Sequence, residues 1–323
     1  MKRIGVMTSG GDSPGMNPCI RAVVRIGLSH GVEMMGIKRG YAGMIDGEIE
    51  PLTARSVGGI IQRGGTMLQS ARCPEFETVR GRRVALRKLN EYEIEGLVII
   101  GGDGSLRGAL ELHRMGFPVI GVPGTIDNDL CYTDMAIGVD TALNTVLDAI
   151  DKIKDTASSH QRAFLIETMG RESGYLALMG GIAGGAEVIL IPEMPFQLEE
   201  VQRTLEDAYV RGKAHCIIVA SEGARPTTAE VASYLRERKE EHGFDVRVTI
   251  LGHIQRGGSP TAFERLLATR LGAAAVNKLL QGMSGQMVGL IGNKIAVTDL
   301  EKVLSSKKKL DLTFYKLAKM LER

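Results

Sequence analysis

Residues 96–129 read "GLVIIGGDGSLRGALELHRMGFPVIGVPGTIDND". Two short apolar runs, GLVII (96–100) and PVIGV (118–122), flank the stretch LRGALELHRMG (106–116), which reads as a helix. Neither run alternates with polar residues, the pattern of a strand covered on both faces. Each stops at glycine and then an acid: GGDGS (101–105) after the first, PGTIDND (123–129) after the second. This is a strand–helix–strand unit with its polar chemistry gathered at the strand ends.

The same order recurs along the chain. RIGVM (3–7), VEMMGI (32–37), AFLIE (163–167), EVILI (187–191), CIIVA (216–220), RVTIL (247–251) and QMVGL (286–290) read as further buried strands. Val139, Leu143, Val146, Leu147, Ile150 and Ile153 make one apolar helical stripe. After the first strand, Asn17 suits a helix N-cap and Pro18 the first helical position. The alternation predicts an α/β protein with two similar doubly wound, Rossmann-like domains and mainly parallel sheets. The expected division is 1–138 plus about 255–305, and 139–254 plus about 306–323, with the boundary near the helix at 139–155.

Composition narrows the function. The 323 residues carry a formal net charge of +2, without the basic excess of a nucleic-acid surface. Forty-one glycines against 4% aromatics point to many tight strand-to-helix turns and close backbone approach to ligands. Cys19, Cys73, Cys131 and Cys216 are scattered, with no CxxC pair, and read as reduced thiols of a cytoplasmic protein. The apolar part of the N-terminal stretch is too short for a signal peptide, and no run is long enough to span a membrane.

In open parallel sheets, ligands bind beyond the carboxyl ends of the strands. Gly101, Gly102 and Gly104 leave backbone N–H groups to face a phosphate at a helix start. Asp103 suits an anion only through a divalent cation such as Mg²⁺; otherwise it is a helix cap. In an extended segment Asp127 and Asp129 would face one cleft, giving a proton acceptor beside a metal-bound phosphate, the arrangement of phosphoryl transfer to an alcohol. The bland alternative is an Asx turn. Arg162, Arg171, Arg247, His253 and Arg256 supply donors for a sugar phosphate, and Glu222 an acceptor for sugar hydroxyls. The loop TSGGDSPGMN (8–17) is neither a Walker loop nor GxGxxG, which disfavours a dinucleotide oxidoreductase.

Taken in order, TSGGDSPGMN, GYAG, RGGT, SARCPEF, GGDGS, PGTIDND, DTASSHQR, MGR, SEG and LGHIQRGGSP resemble the ATP-dependent 6-phosphofructokinases of bacteria over nearly the whole chain. The resemblance implies transfer of the γ-phosphoryl group of MgATP to the 1-hydroxyl of D-fructose 6-phosphate, in a homotetramer with shared sites. It implies that Asp127 is the base, with Thr125 and Arg171 in the catalytic group, and that Asp103 holds Mg²⁺. Gly11, Tyr41, Arg72, Cys73, Gly102, Gly104 and Ser105 would meet ATP. Thr125, Ile126, Asp127, Met169, Gly170, Arg171, Glu222, His253, Ile254, Gln255 and Arg256 would hold the sugar phosphate, with Arg162 and Arg247 reaching in from a neighbouring subunit.

Pyrophosphate-using relatives typically carry aspartate where Gly104 stands and lysine where Gly124 stands, so the two glycines favour ATP. The family's activator pocket maps to Arg21, Arg25, Lys154, Gly185, Glu187, Arg211 and Lys213, for ADP or phosphoenolpyruvate. A pyrophosphate-dependent enzyme and a non-catalytic sugar-phosphate or nucleotide sensor are the alternative readings.

Overall fold

The computed structural model describes residues 1–159 and 161–321. The chain divides into two units: residues 1–141 with 256–308, and residues 142–255 with 309–323.

Unit 1 is built from β1 (Arg3–Ser9), α1 (Met16–Ser29), β2 (Glu33–Ile37), α2 (Gly40–Asp46), β3 (Ile49–Leu52), α3 (Val79–Glu91), β4 (Gly96–Gly101), α4 (Asp103–Arg114) and β5 (Val119–Pro123). Helix α5 (Val139–Ser158) then carries the chain into unit 2. That unit contains β6 (Arg162–Thr168), α6 (Tyr175–Ala183), β7 (Val188–Leu190), α7 (Leu198–Val210), β8 (Cys216–Ser221), α8 (Thr228–Glu237), α9 (Lys239–His242) and β9 (Asp245–Ile250). The chain returns to unit 1 for α10 (Ala262–Leu280), β10 (Gln286–Ile291), β11 (Lys294–Asp299) and α11 (Leu300–Leu304), and closes unit 2 with α12 (Leu312–Leu321).

The sheet of unit 1 runs β11-β10-β5-β4-β1-β2-β3, and that of unit 2 β7-β8-β6-β9. The five inner strands of unit 1 are parallel, with antiparallel β3 and β11 at its edges; all four strands of unit 2 are parallel. The apolar runs follow from this burial. Along β4, Val98 and Ile100 enter a cluster with Ile20 and Val24 of α1 and Leu271 of α10. Leu97 and Ile99 point the other way, to Leu89 of α3 and Leu106 and Leu112 of α4. All four β4 side chains are fully buried, each stabilising by roughly 1.5–3 kcal/mol. In unit 2 the β8 residues divide likewise, Ile218 to one cluster and Ile217 and Val219 to the other.

All nine strands expected from the sequence form. The two edge strands of the unit 1 sheet, β3 and β11, were not expected: β3 is the short IEPL, whose Pro51 is tolerated because the strand lies at the edge. The start of α1 differs from expectation as well. Its cap is Gly15, at φ +112°, so the helix begins at Met16 and Asn17 lies inside it. The Asn17 amide is occupied elsewhere: Nδ2 donates to the carbonyls of Arg63 and Gly64, and Oδ1 accepts from Met67 N–H. It thus fixes the RGGT segment.

Candidate active site

The carboxyl ends of β1, β4 and β5 lie side by side, with Ser9 in register with Gly101 and Gly101 with Pro123. The chain leaves β1 toward β2 on one side and reaches β4 on the other, so these ends flank the point where strand order reverses, the usual place for a ligand crevice.

Helix α4 opens on this rim. Its cap is Gly102, extended and without a side-chain cap bond, so the first N–H groups of the helix have no side-chain cap partner. Asp103 is therefore the first helical residue rather than the cap. Its carboxylate pairs with Arg107 one turn on, at 2.7 and 3.2 Å, and both side chains are about half exposed. Beside it Gly104 faces open space: a β-carbon there would touch nothing within 4 Å. Behind the loop, Tyr41 is buried, stacks on Phe76 at 3.9 Å and donates to the Ser105 carbonyl at 2.6 Å. Burial raises the Tyr41 hydroxyl well above its ordinary pKa, so it remains a donor. Arg72 is exposed and Cys73 partly so.

The β5 end turns at once. Thr125 Oγ1 accepts from Asp127 N–H at 3.2 Å, and Asn128 adopts φ +51°. This left-handed step breaks the expected alternation: Asp127 is buried, 5% exposed, while Asp129 is exposed. The two acids do not share a face, because that expectation needed extended backbone. Asn128 braces the turn, donating to the Asp134 carbonyl and accepting from Ala136 N–H. Lys308 closes the loop from outside, Nζ donating to the carbonyls of Thr133 and Asp134. Its burial lowers the ammonium pKa to about 8, against the opposing charge of Asp134.

The first loop joins this rim. Ser13 Oγ donates to the Ile137 carbonyl, which also receives Thr125 N–H. Arg256 belongs to unit 1 and lies against Gly11, where any side chain would strike its guanidinium; it donates to the Asp12 carbonyl at 3.0 Å. Gly124 is tight, with Ile100 Cγ2 and Met16 Cε at 3.2 and 3.3 Å from where a β-carbon would stand.

Unit 2 gathers its own set. At the carboxyl end of β6, Gly170 and Arg171 take positive φ, and one Glu222 oxygen accepts both their N–H groups, at 3.1 and 2.8 Å. Gln255 is fully buried and accepts from Met169 N–H, while His253 and Ile254 are exposed. Arg162 lies elsewhere, at the amino end of β6, and Arg247 is the third residue of β9; Asp245, at the amino end of β9, pairs with both, at 3.7 and 2.7 Å. The seven residues of β6 separate Arg162 from the Met169 turn by about 20 Å.

Also in unit 2, Glu187 accepts from Lys213 Nζ at 3.0 Å and from Ile217 N–H, and Lys154 Nζ borders Gly185. Arg211 is exposed, its Nε donating to the Asp207 carbonyl. Arg21 and Arg25 lie on α1 in unit 1.

Fold and rim together define a doubly wound α/β protein in which a helix start without a side-chain cap lies next to a buried strand-end carboxylate. The phosphofructokinase family model matches residues 3–279, and the chain belongs to that family. ATP-dependent 6-phosphofructokinases from Halothermothrix orenii and Bacillus subtilis are each 54% identical to it, over 99% of both chains. A phosphofructokinase structure from Saccharomyces cerevisiae superposes with a TM-score of 0.87 at 37% identity, over all of this chain and 47% of that longer one. A pyrophosphate-dependent phosphofructokinase from Marinobacter aquaeolei matches with a TM-score of 0.83 at 25% identity, over 97% of this chain and 86% of that one.

Sequence reasoning missed Glu264, a fully buried carboxylate behind the first loop of unit 1. Its only local signal is the segment TAFE (261–264), which reads as an ordinary helix-capping pattern.

Proposed function

We propose that this chain is an ATP-dependent 6-phosphofructokinase, transferring the γ-phosphoryl group of ATP to the 1-hydroxyl of D-fructose 6-phosphate to give fructose 1,6-bisphosphate and ADP. The carrying observation is the adjacency of the two β-strand ends in unit 1, one opening α4 at Asp103, the other bearing buried Asp127. Asp127 takes the proton of the 1-hydroxyl, whose oxygen bonds to the γ-phosphorus as the bond to the ADP oxygen breaks. Thr125 holds the Asp127 turn by the bond already described. Arg171 balances charge on the phosphoryl group.

Nucleotide phosphates would meet the N–H groups at the start of α4, with Gly11, Arg72 and Cys73 around the remainder. Among the described residues no cluster of three His, Cys, Asp or Glu side chains is set to hold a metal. One half-exposed carboxylate fits Mg²⁺, which keeps water and substrate phosphates as most of its ligands. Asp103 would hold it, and bound there the ion neutralises phosphate charge. Gly104 and Gly124 favour ATP over pyrophosphate: the open space beside Gly104 leaves room for an inner phosphate, and an aspartate there would fill and repel it.

The sugar phosphate would rest on Met169–Arg171, Glu222, His253 and Arg256. The free Glu222 oxygen would accept from sugar hydroxyls, since the other holds the turn. Arg162 and Arg247 lie toward the wrong end of their sheet to serve the same chain's turn, which supports their serving a second copy in a homotetramer. Lys154, Gly185, Glu187, Arg211 and Lys213 of unit 2 would take an anionic effector such as ADP or phosphoenolpyruvate, and Arg21 and Arg25 of α1 would bind the same class of anion. The working compartment would be the cytoplasm; among the described residues no helix is long and apolar enough to cross a membrane. A coupled assay with fructose 6-phosphate, run with ATP and then with pyrophosphate, tests the reading. Turnover with ATP alone is expected; turnover only with pyrophosphate, or with neither, overturns it.

A further inference from the structure

Helix α10 begins with Thr261 as its cap and Glu264 three residues later, the spacing of a capping box. The box does not close. Thr261 Oγ1 accepts from Glu264 N–H, but the Glu264 side chain does not return to Thr261. Thr261 N–H donates to Thr141 Oγ1, and Thr261 Oγ1 is bonded to Asp140. The Glu264 carboxylate is turned instead to the start of α5, where it accepts from Gly138 N–H at 2.8 Å, Thr141 N–H at 3.2 Å and Thr141 Oγ1 at 3.3 Å. It is wholly buried.

What it holds is not an ordinary helix start. Gly138, at φ +110°, follows Ile137, which is bridged to Gly124. Ile137 N–H donates to the Pro123 carbonyl, and its own carbonyl receives Thr125 N–H and Ser13 Oγ. The stem of Glu264 also lies against Gly15, where a β-carbon would stand 2.9 Å from its Cγ. One carboxylate therefore touches the end of the first loop and the segment to which Thr125, two residues before Asp127, is hydrogen-bonded.

We propose that Glu264 is a positioning residue for catalysis, its ionised carboxylate fixing the 137–141 segment and through it the Thr125–Asp127 turn. The proposal rests on the role given to Asp127 above. The ionised form accepts all three bonds; a protonated carboxyl would have to reverse one of them, donating to Thr141 Oγ1. Burial raises this carboxyl to about 7, with the Gly138 and Thr141 bonds opposing and the charge of Asp140 adding to the rise. Asp140, from α5, is the charged group bearing on it; Thr261, Thr141 and Gly15 complete its polar and close contacts from α10, α5 and the α1 entry. The turn is thus set for chemistry in the upper half of the neutral range and loosens as Glu264 takes up a proton.

The test is Glu264→Gln, which keeps the size and removes the charge. Its kcat at pH 8 should fall by about 10- to 100-fold, the scale of a small misplacement of reacting groups. KM for ATP should stay within about twofold, since none of the residues proposed to meet the nucleotide lies in that turn. The rise of kcat between pH 6 and 8 should disappear. Hydrogen exchange at the amides of Thr125 and Gly138–Thr141 should quicken, a readout independent of turnover, and Glu264→Asp should recover part of the loss. Should Glu264→Gln not fold, Thr141→Val keeps the charge, removes one donor to it together with the acceptor of Thr261 N–H, and should lower kcat by about threefold. Wild-type kcat and an unchanged pH profile in a folded variant would overturn the proposal, as would a lower kcat with exchange at Thr125 unaltered. Asp127→Asn is assayed alongside. If it turns over normally, the reading of Asp127 falls. If it is inactive while Glu264→Gln is fully active, only the positioning role falls.

Discussion

The two units share a strand–helix grammar and end it in different chemistry. The rim of unit 1 carries glycines and acids: an open Gly104, Asp103 at a helix start, Asp127 buried in its turn. Unit 2 spreads its candidate arginines along one sheet, Arg171 past the carboxyl end of β6, Arg162 at its amino end and Arg247 three residues into β9. The contrast repeats in two Thr-x-x-Glu segments. In unit 2, Thr227 and Glu230 close a full capping box, and Glu230 is exposed, its acidity strengthened chiefly by Thr227. In unit 1, Thr261 and Glu264 leave the box open and reach across to α5, and Glu264 is buried. The same four-residue pattern is local in one unit and long-range in the other. On the function proposed above, unit 1 would perform the chemistry and unit 2 would recognise the acceptor.

The severest test of that division is Asp127→Asn. A general base contributes roughly 10²–10⁴-fold, so kcat should fall by that factor, about 3–5 kcal/mol of barrier, with both KM values little changed. A variant that keeps wild-type turnover takes the chemistry away from the unit 1 rim.

Next in size is a stability difference between the two glutamates. The Glu264 carboxyl, raised from 4.5 to about 7, holds its proton more tightly in the folded chain than in the unfolded one. Its stabilising contribution is therefore complete below about pH 4.5 and is lost as pH rises through about 7. The loss amounts to about 3 kcal/mol. Glu230 is shifted the other way, so its contribution is present above the ordinary glutamate pKa and is lost as pH falls. Thermal unfolding followed from pH 5 to 8 should show wild type declining more steeply than Glu264→Gln. Parallel curves would mean that Glu264 ionises like an exposed acid.

Arg162→Ala probes unit 2. Losing a charged donor to phosphate costs about 1.5–3 kcal/mol, so kcat/KM for fructose 6-phosphate should drop by roughly 10- to 100-fold while KM for ATP holds. Refolding Arg162→Ala together with Asp127→Asn should regain activity that neither regains alone, because some sites then pair an intact Asp127 with another copy's intact Arg162. Absence of recovery in proven hybrids would assign both residues to one chain's site.

Most of the strands were legible because a strand covered on both faces is apolar nearly throughout; β9 was read as such a strand but lies at a sheet edge with Arg247 and Ile250 exposed. Strands β3 and β11, at the edges of the unit 1 sheet, escaped because they are only partly buried and Pro51 reads as a break. The glycine–acid clusters at β4 and β5 stood out as candidate chemistry because burial gives no reason for them. Their exact shape was not: Asn128 at φ +51° turns Asp127 inward and Asp129 outward, a step that side-chain alternation cannot foresee. Asn17 failed as a cap because its partners are the carbonyls of residues 63 and 64, and Glu264 stayed hidden because its donors lie more than 120 residues away. Local pattern identifies a residue's type of bond; only the fold supplies the partner.

The smallest effect separates the two capping segments directly. Thr227 Oγ1 accepts from Glu230 N–H at 3.4 Å, and Glu230 Oε2 accepts from Thr227 N–H and Oγ1, both at 2.7 Å, so every bond stays within four residues. Thr227→Ala should therefore cost only the cap, about 1 kcal/mol, lowering Tm by roughly 2–4 °C, with kcat and both KM values unchanged. Thr261→Ala removes the equivalent cap bond and also the hydroxyl bonded to Asp140, beside the residues that Glu264 holds. It should lower Tm by a similar amount and kcat as well. Calorimetry and steady-state kinetics on the two variants decide the matter. If Thr227→Ala lowers kcat as much as Thr261→Ala does at equal loss of Tm, then turnover follows general stability, and the open box of unit 1 has no special link to the Asp127 turn.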